Sequence, residues 1–131
     1  MDSTKFTLED FQEKLNQFRK DRGWLHLDSA DLAKSIVLES AELLEHFQWD
    51  NTDISRNKVL AEKDKKEIAA EVADVFIYLL EFCQENDIFI LKAAFDKLEY
   101  VDKKYPAKQM KGGGLTAYKN AKIEHRSKNK I

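Results

Sequence analysis

Apolar residues recur at helical spacing along most of this chain. Leu8, Phe11, Leu15 and Phe18 fall at i, i+3, i+7 and i+10, which predicts a first helix from about Leu8 to Arg22 with Thr7 as its N-cap. Gly23 ends it. The connector Trp24-Leu25-His26-Leu27 is too apolar for a free loop and is expected to pack. Asp28 or Ser29 caps a second helix running to about Gln48, with Leu32, Ile36, Leu43 and Phe47 on its buried stripe. Asp50 to Lys58 reads as a polar turn. A third helix is expected from near Leu60 to Glu85. Ile68, Val72, Val75, Phe76, Leu79 and Phe82 make one stripe on it, while Ala69, Ala73, Ile77 and Leu80 cover much of the remainder. A helix apolar on nearly every side except one acidic strip belongs at the centre of its bundle. In a chain this small, the surplus apolar surface is expected to meet a second subunit. Asn86-Asp87 makes the next turn, and a fourth helix carrying Leu91, Ala94, Phe95, Leu98 and Tyr105 stops at Pro106.

Composition sharpens this picture. The chain has one proline and four glycines in 131 residues, three of those glycines being Gly112 to Gly114, so its body is nearly free of helix breakers. That argues for an all-α protein, a four-helix bundle-like fold with short connections, forming a homodimer or homotetramer. Residues 1–111 are expected to be one helical domain and 112–131 a basic C-terminal tail. With 43% hydrophobic and 35% charged residues, the chain can bury a core. No apolar run approaches the ~20 residues that a membrane-spanning helix needs. Met1-Asp2-Ser3-Thr4 does not open a secretion signal, and the lone Cys83 inside an apolar run reads as a small core residue; together they predict a reducing, cytoplasmic setting. A formal charge of -2 gives no overall pull toward nucleic acid. The basic end, with Lys108, Lys111, Lys119, Lys122, Arg126, Lys128 and Lys130 against Glu124 alone, is either disordered or reaches an anionic ligand. Disorder is the reading for the stretch after Arg126, and ligand contact the reading for Lys111.

Two segments carry the candidate chemistry: Glu39-Ser40-Ala41-Glu42 and Glu71-Val72-Ala73-Asp74. Carboxylates three residues apart sit about 60° apart around a helix and one turn apart along it, so each pair shares a face. Two such pairs on adjoining helices can converge. Like charges a few ångströms apart repel strongly away from bulk water, so a converged site either takes up protons or holds a cation. Oxygen-only ligands suit Mg²⁺ or Mn²⁺. The alternative is a pair of solvated stripes, Glu67, Glu71, Asp74 and Glu81 on one helix and Glu39, Glu42 and Glu45 on the other. Tyr78 beside the second set, and His46 and Trp49 beside the first, are unusual company for purely solvated acids. Gly23, Leu43 and Lys122 stand three residues before His26, His46 and His125, so the Glu-x-x-His pairs of di-iron bundles are missing. Gly112-Gly113-Gly114 is followed by Leu115-Thr116, not by the Lys-Ser/Thr of a phosphate loop.

Several stretches together closely resemble the MazG-like nucleotide pyrophosphohydrolases. They are Leu32-Ala33-Lys34-Ser35, Leu38-Glu39-Ser40-Ala41-Glu42-Leu43-Leu44-Glu45-His46-Phe47-Gln48-Trp49, Glu71-Val72-Ala73-Asp74-Val75-Phe76-Ile77-Tyr78-Leu79-Leu80 and Lys104-Tyr105-Pro106. The likeness runs from about Phe18 to Gly112 and is nearest to the short single-domain branch that includes dCTP pyrophosphatase. It implies an all-α fold and Mg²⁺-dependent hydrolysis of nucleoside triphosphates to the monophosphate and pyrophosphate, with Mn²⁺ as a substitute ion. A preference for dCTP and a role in cleaning the nucleotide pool would follow. It also implies that Glu39, Glu42, Glu71 and Asp74 are metal ligands and that Glu45 orients the attacking water or acts as base. Trp24 and Trp49 would border the base, Tyr78 the sugar or phosphates, and Lys34, Lys104 and Lys111 the phosphates.

Each of these residues also has a plain structural reading. Trp49 can close the end of the second helix, Trp24 can pack in its connector, Lys34 can be solvated, and His26 and His46 can be packing or capping groups. Val101 stands where the family often carries an asparagine, which bears on substrate choice more than on the reaction. From a different class, the rival function is a non-catalytic helical adaptor whose acidic stripes bind a basic partner.

Overall fold

The computed structural model describes residues 6–49 and 62–129. The expected turn at Asp50 to Lys58, the helix start near Leu60, Lys130 and the first residues from Met1 to Thr4 lie outside them. The described residues form six helices and no strand: α1 Leu8–Asp21, α2 Ser29–Glu45, α3 Glu62–Glu85, α4 Ile90–Lys104, α5 Ala107–Met110 and α6 Gly114–Lys128. The all-α class therefore holds. None of these helices is long and apolar enough to cross a membrane. The chain divides into two compact units, Met1–Ile88 and Phe89–Ile131.

In the first unit the helix boundaries follow local chemistry. Thr7 Oγ1 accepts the Asp10 N–H at 3.1 Å. Glu9 and Asp10 in the first turn of α1, and Arg19 and Lys20 in its last, match the helix dipole. Asp28 is the cap of α2, its carboxylate accepting the N–H groups of Ala30 at 2.8 Å and Asp31 at 3.3 Å. That helix ends at Glu45, short of Gln48, and residues 46–49 form a turn. At the end of α3, Asn86 Nδ2 donates to the Phe82 carbonyl at 2.8 Å, and the Ile88 N–H reaches the Cys83 carbonyl at 2.9 Å. Asp87 makes this turn with φ of 52°.

Helix α2 packs along α3, and α1 packs against α3 as well. Phe11 stacks on Phe76 with ring centroids 6.0 Å apart. The apolar side chains sealed inside this unit are Leu15, Leu32, Leu80 and Cys83. The stripe expected to be buried on α3 is only partly so, since Val72, Phe76 and Leu79 are 49%, 43% and 39% exposed. The fully buried line instead passes through Leu80. Two partner helices cannot cover the whole circumference of a third, so one of its apolar faces stays uncovered within the unit.

One buried polar cluster departs from the sequence reading. Arg19 is 1% exposed. Its guanidinium donates to Gln84 Oε1 at 3.1 Å and pairs with the Glu85 carboxylate, while its Nε lies 3.9 Å from Glu81 Oε1. Glu81 is thus buried and paired, not part of a solvated acidic stripe. Burial pushes the Glu81 carboxyl above its ordinary range and outweighs the pull of Arg19. Burial pushes on Glu85 in the same sense, but the hydrogen bond and charge of Arg19 and the backbone N–H groups of His26 and Leu27 hold it below that range. The His26 N–H meets Glu85 Oε1 at 2.9 Å, so the cluster also ties down the connector that carries Trp24.

In the second unit, α4 stops before Pro106 as expected. The stretch read as a basic tail is helical. Tyr105 and Tyr118 stack with centroids 4.9 Å apart, and Tyr100 meets the edge of His125 at 5.0 Å. Gly112, at φ of 77°, supplies the left-handed turn that leads into α6.

Candidate active site

The packing of α2 along α3 decides what the acidic pairs do. Glu39 and Glu42, one turn apart on α2, face Glu71 on α3, and one carboxylate oxygen from each lies within 4.8 Å of the others. The polar residue between the two α2 acids does not compete for this face, because Ser40 Oγ donates back to the Ile36 carbonyl at 2.7 Å. Glu39 and Glu71 are partly buried and Glu42 is exposed. The charges of Glu39 and then Glu71 disfavour ionised Glu42 and push its carboxyl above the ordinary carboxylate range. Three oxygen donors gathered against their own repulsion fit a hard divalent cation. Among the described residues no other trio of acidic, histidine or cysteine side chains comes this close.

Asp74 stands outside the trio. It lies one turn beyond Glu71, is exposed, and its side chain is a methylene shorter than a glutamate's. Glu45, the last residue of α2, is exposed one turn past Glu42. Tyr78 is partly buried on α3, two turns beyond Glu71. Trp49 is 85% exposed just after α2, and Trp24 is 50% exposed in the α1–α2 connector, where it meets Phe18 edge-on at 5.9 Å. Lys34 points to solvent beside Asp31 at 3.2 Å, the solvated alternative for that residue.

Lys104 and Lys111 belong to the second unit. Lys104 lies 5.3 Å from the Tyr105 ring centroid and lines a pocket of about 110 Å³ with Lys103, Lys128 and His125. Lys111 follows the last residue of α5 as its C-cap. One residue noted beside the acids makes a contact that the sequence reading did not foresee. His46, read there as a packing or capping group, stands at the C-cap position of α2, where its backbone N–H reaches the Leu44 carbonyl, and its Nε2 lies 3.6 Å from Glu71 Oε1. Its i+4 spacing from Glu42 sets it beside the α2 acids, while the contact with Glu71 depends on how the two helices pack.

This arrangement sits inside a segment with clear relatives. The MazG-like family matches residues 34–113, which includes all three acids, and the chain belongs to that family. It is similar to a pyrophosphatase from Archaeoglobus fulgidus, with 42% identity, a TM-score of 0.69, and coverage of 76% of this chain and 92% of that one. It is also 26% identical over 107 residues to dCTP pyrophosphatase 1 of Rattus norvegicus, covering 81% of this chain and 63% of that protein. The human dCTP pyrophosphatase 1 is 26% identical over 102 residues, covering 77% and 60% respectively. The chain thus spans less than two thirds of the length of these dCTP pyrophosphatases.

Proposed function

We propose that this chain hydrolyses nucleoside triphosphates to the monophosphate and pyrophosphate, using a divalent cation, Mg²⁺ or Mn²⁺, held by Glu39, Glu42 and Glu71. The observation that carries this reading is the meeting of the three carboxylates on a chain whose relatives are pyrophosphatases. A bound cation neutralises the triphosphate, lowers the pKa of water and stabilises charge developing on the leaving group. The protein's own part is to hold three oxygens in place from two packed helices, so that little reorganisation is needed during the reaction. Asp74, one turn from Glu71 on the same helix, is the proposed fourth ligand. Glu45, one turn from Glu42, is the group that orients the attacking water or takes its proton. Tyr78 borders the sugar or phosphates.

The exposed rings of Trp24 and Trp49 offer stacking faces for a base, worth ~1–3 kcal/mol each. The dCTP pyrophosphatase relatives make deoxycytidine triphosphate the first substrate to try. Copies of the chain associate as dimers or tetramers through the uncovered face of α3 at Val72, Phe76 and Leu79.

The test is ³¹P NMR of turnover across a panel of deoxynucleoside triphosphates, with Mg²⁺ and with excess EDTA. Monophosphate and pyrophosphate in equal amounts, appearing only with Mg²⁺, is the expected result. Release of orthophosphate and a diphosphate contradicts the proposed bond cleavage. Absence of turnover throughout, with binding to a basic protein, favours an adaptor.

A further inference from the structure

Glu71 occupies an awkward place: it comes from α3 alone, while Glu39 and Glu42 stand together on α2. With the cation absent, the two α2 carboxylates repel an ionised Glu71, and a hydrogen-bond donor beside it would help keep its side chain in the trio. His46 is the group in position to do so. It follows Glu42 by four residues, so both side chains leave α2 on the same side. Its Nε2 stands 3.6 Å from Glu71 Oε1, and the two side chains are 25% and 23% exposed, about as sheltered as each other. No basic residue occupies the last turn of α2, and His46 is the residue that follows it.

We propose that His46 is a positioning residue: its Nε2–H donates to the Glu71 carboxylate and holds Glu71 in the trio, ready for the cation. This rests on the reading of the trio as a cation site. The separation is ion-pair distance and a few tenths of an ångström too long for a hydrogen bond, a gap that a small rotation of either side chain closes. A carboxylate has two oxygens with about four lone-pair sites, so accepting from His46 leaves Glu71 free to ligate. His46 lies outside the group of mutually close ligand atoms, which makes it a support for a ligand and not a ligand. Groups that fix metal ligands in this way typically contribute 10–100-fold to metal affinity.

The experiment measures Mn²⁺ binding alone, by electron paramagnetic resonance at fixed pH, on the 131-residue chain and three variants. His46→Leu removes the donor. His46→Asn places an amide near the Nδ1 position, too short to reach Glu71. His46→Gln places an amide N–H near the Nε2 position. His46→Leu and His46→Asn are expected to weaken Mn²⁺ binding by about 10–100-fold, whereas His46→Gln stays within a few-fold of wild type. A capping or packing role would not distinguish Gln from Asn in this way. Wild-type affinity in His46→Leu and His46→Asn overturns the proposal, as does a Gln variant as weak as Asn. Failure of the wild-type protein to bind Mn²⁺ would instead overturn the cation site itself.

Discussion

Glu42→Gln is expected to lower turnover by about 10³-fold or more. A catalytic divalent ion supplies several kcal/mol of charge stabilisation, and about 4 kcal/mol corresponds to ~10³ in rate. Glutamine keeps the shape of the side chain and removes the charge that a cation needs. The same change should raise the melting temperature measured in EDTA. Glu39 and Glu71 push the Glu42 carboxyl above its ordinary range, so its ionised form opposes folding at neutral pH when no cation is present. The gain in melting temperature on adding Mn²⁺ should shrink for the same reason. Steady-state assays and thermal melts with and without metal measure all three effects. Wild-type turnover by this variant would remove Glu42 from the ligand set.

The largest loss of stability is expected from Arg19→Ala, about 3–5 kcal/mol by urea denaturation at pH 7, because it strands buried carboxylates without their cation. Arg19→Lys should recover little of this. An ammonium cannot serve Gln84 and Glu85 together as the planar guanidinium does. The pH dependence gives a second signature. Glu85 is held below its ordinary range in the wild type, so its contribution is fully present above about pH 4.3, the unperturbed glutamate value, and is lost as pH falls through its lower folded value. Glu81, held above its ordinary range by burial, works in the opposite sense and relieves a penalty as pH falls. Without Arg19, burial acts on Glu81 with no facing cation, and on Glu85 with only the backbone N–H groups of His26 and Leu27 opposing it, so mild acid should stabilise the variant relative to neutral pH. Melting curves across that range test this, and a neutral-pH stability close to wild type would show that the cluster is weakly coupled to folding.

How far the sequence revealed this molecule differed from region to region, for identifiable reasons. The start of α1 was legible because a Thr cap and a period of 3.6 in its apolar residues are local signals. That Glu39 shares a face with Glu42, and Glu71 with Asp74, was legible because i,i+3 spacing fixes a helix face before any packing is known; that the two faces meet was one of two readings. That three acids meet closely and Asp74 does not depends on side-chain length and on the register of α2 along α3, which spacing alone does not set. Arg19 stands in a polar last turn beside Lys20 and Arg22, with no local signal that sets it apart. Its burial comes from α1 packing against α3, where Arg19 meets Glu81, Gln84 and Glu85, a tertiary fact that also takes Glu81 out of the solvated stripe. Helix α6 was hidden because its apolar residues form no clear stripe and a glycine triplet precedes it. His46 was visible as a residue but not as a neighbour of Glu71, since that contact joins two helices.

Anomalous scattering from crystals of the protein soaked in Mn²⁺ tests the central claim most directly. A single strong peak bounded by the carboxylates of Glu39, Glu42 and Glu71 is the expected result. Carboxylates splayed into solvent with no peak among them, at Mn²⁺ concentrations that saturate any turnover, would contradict it.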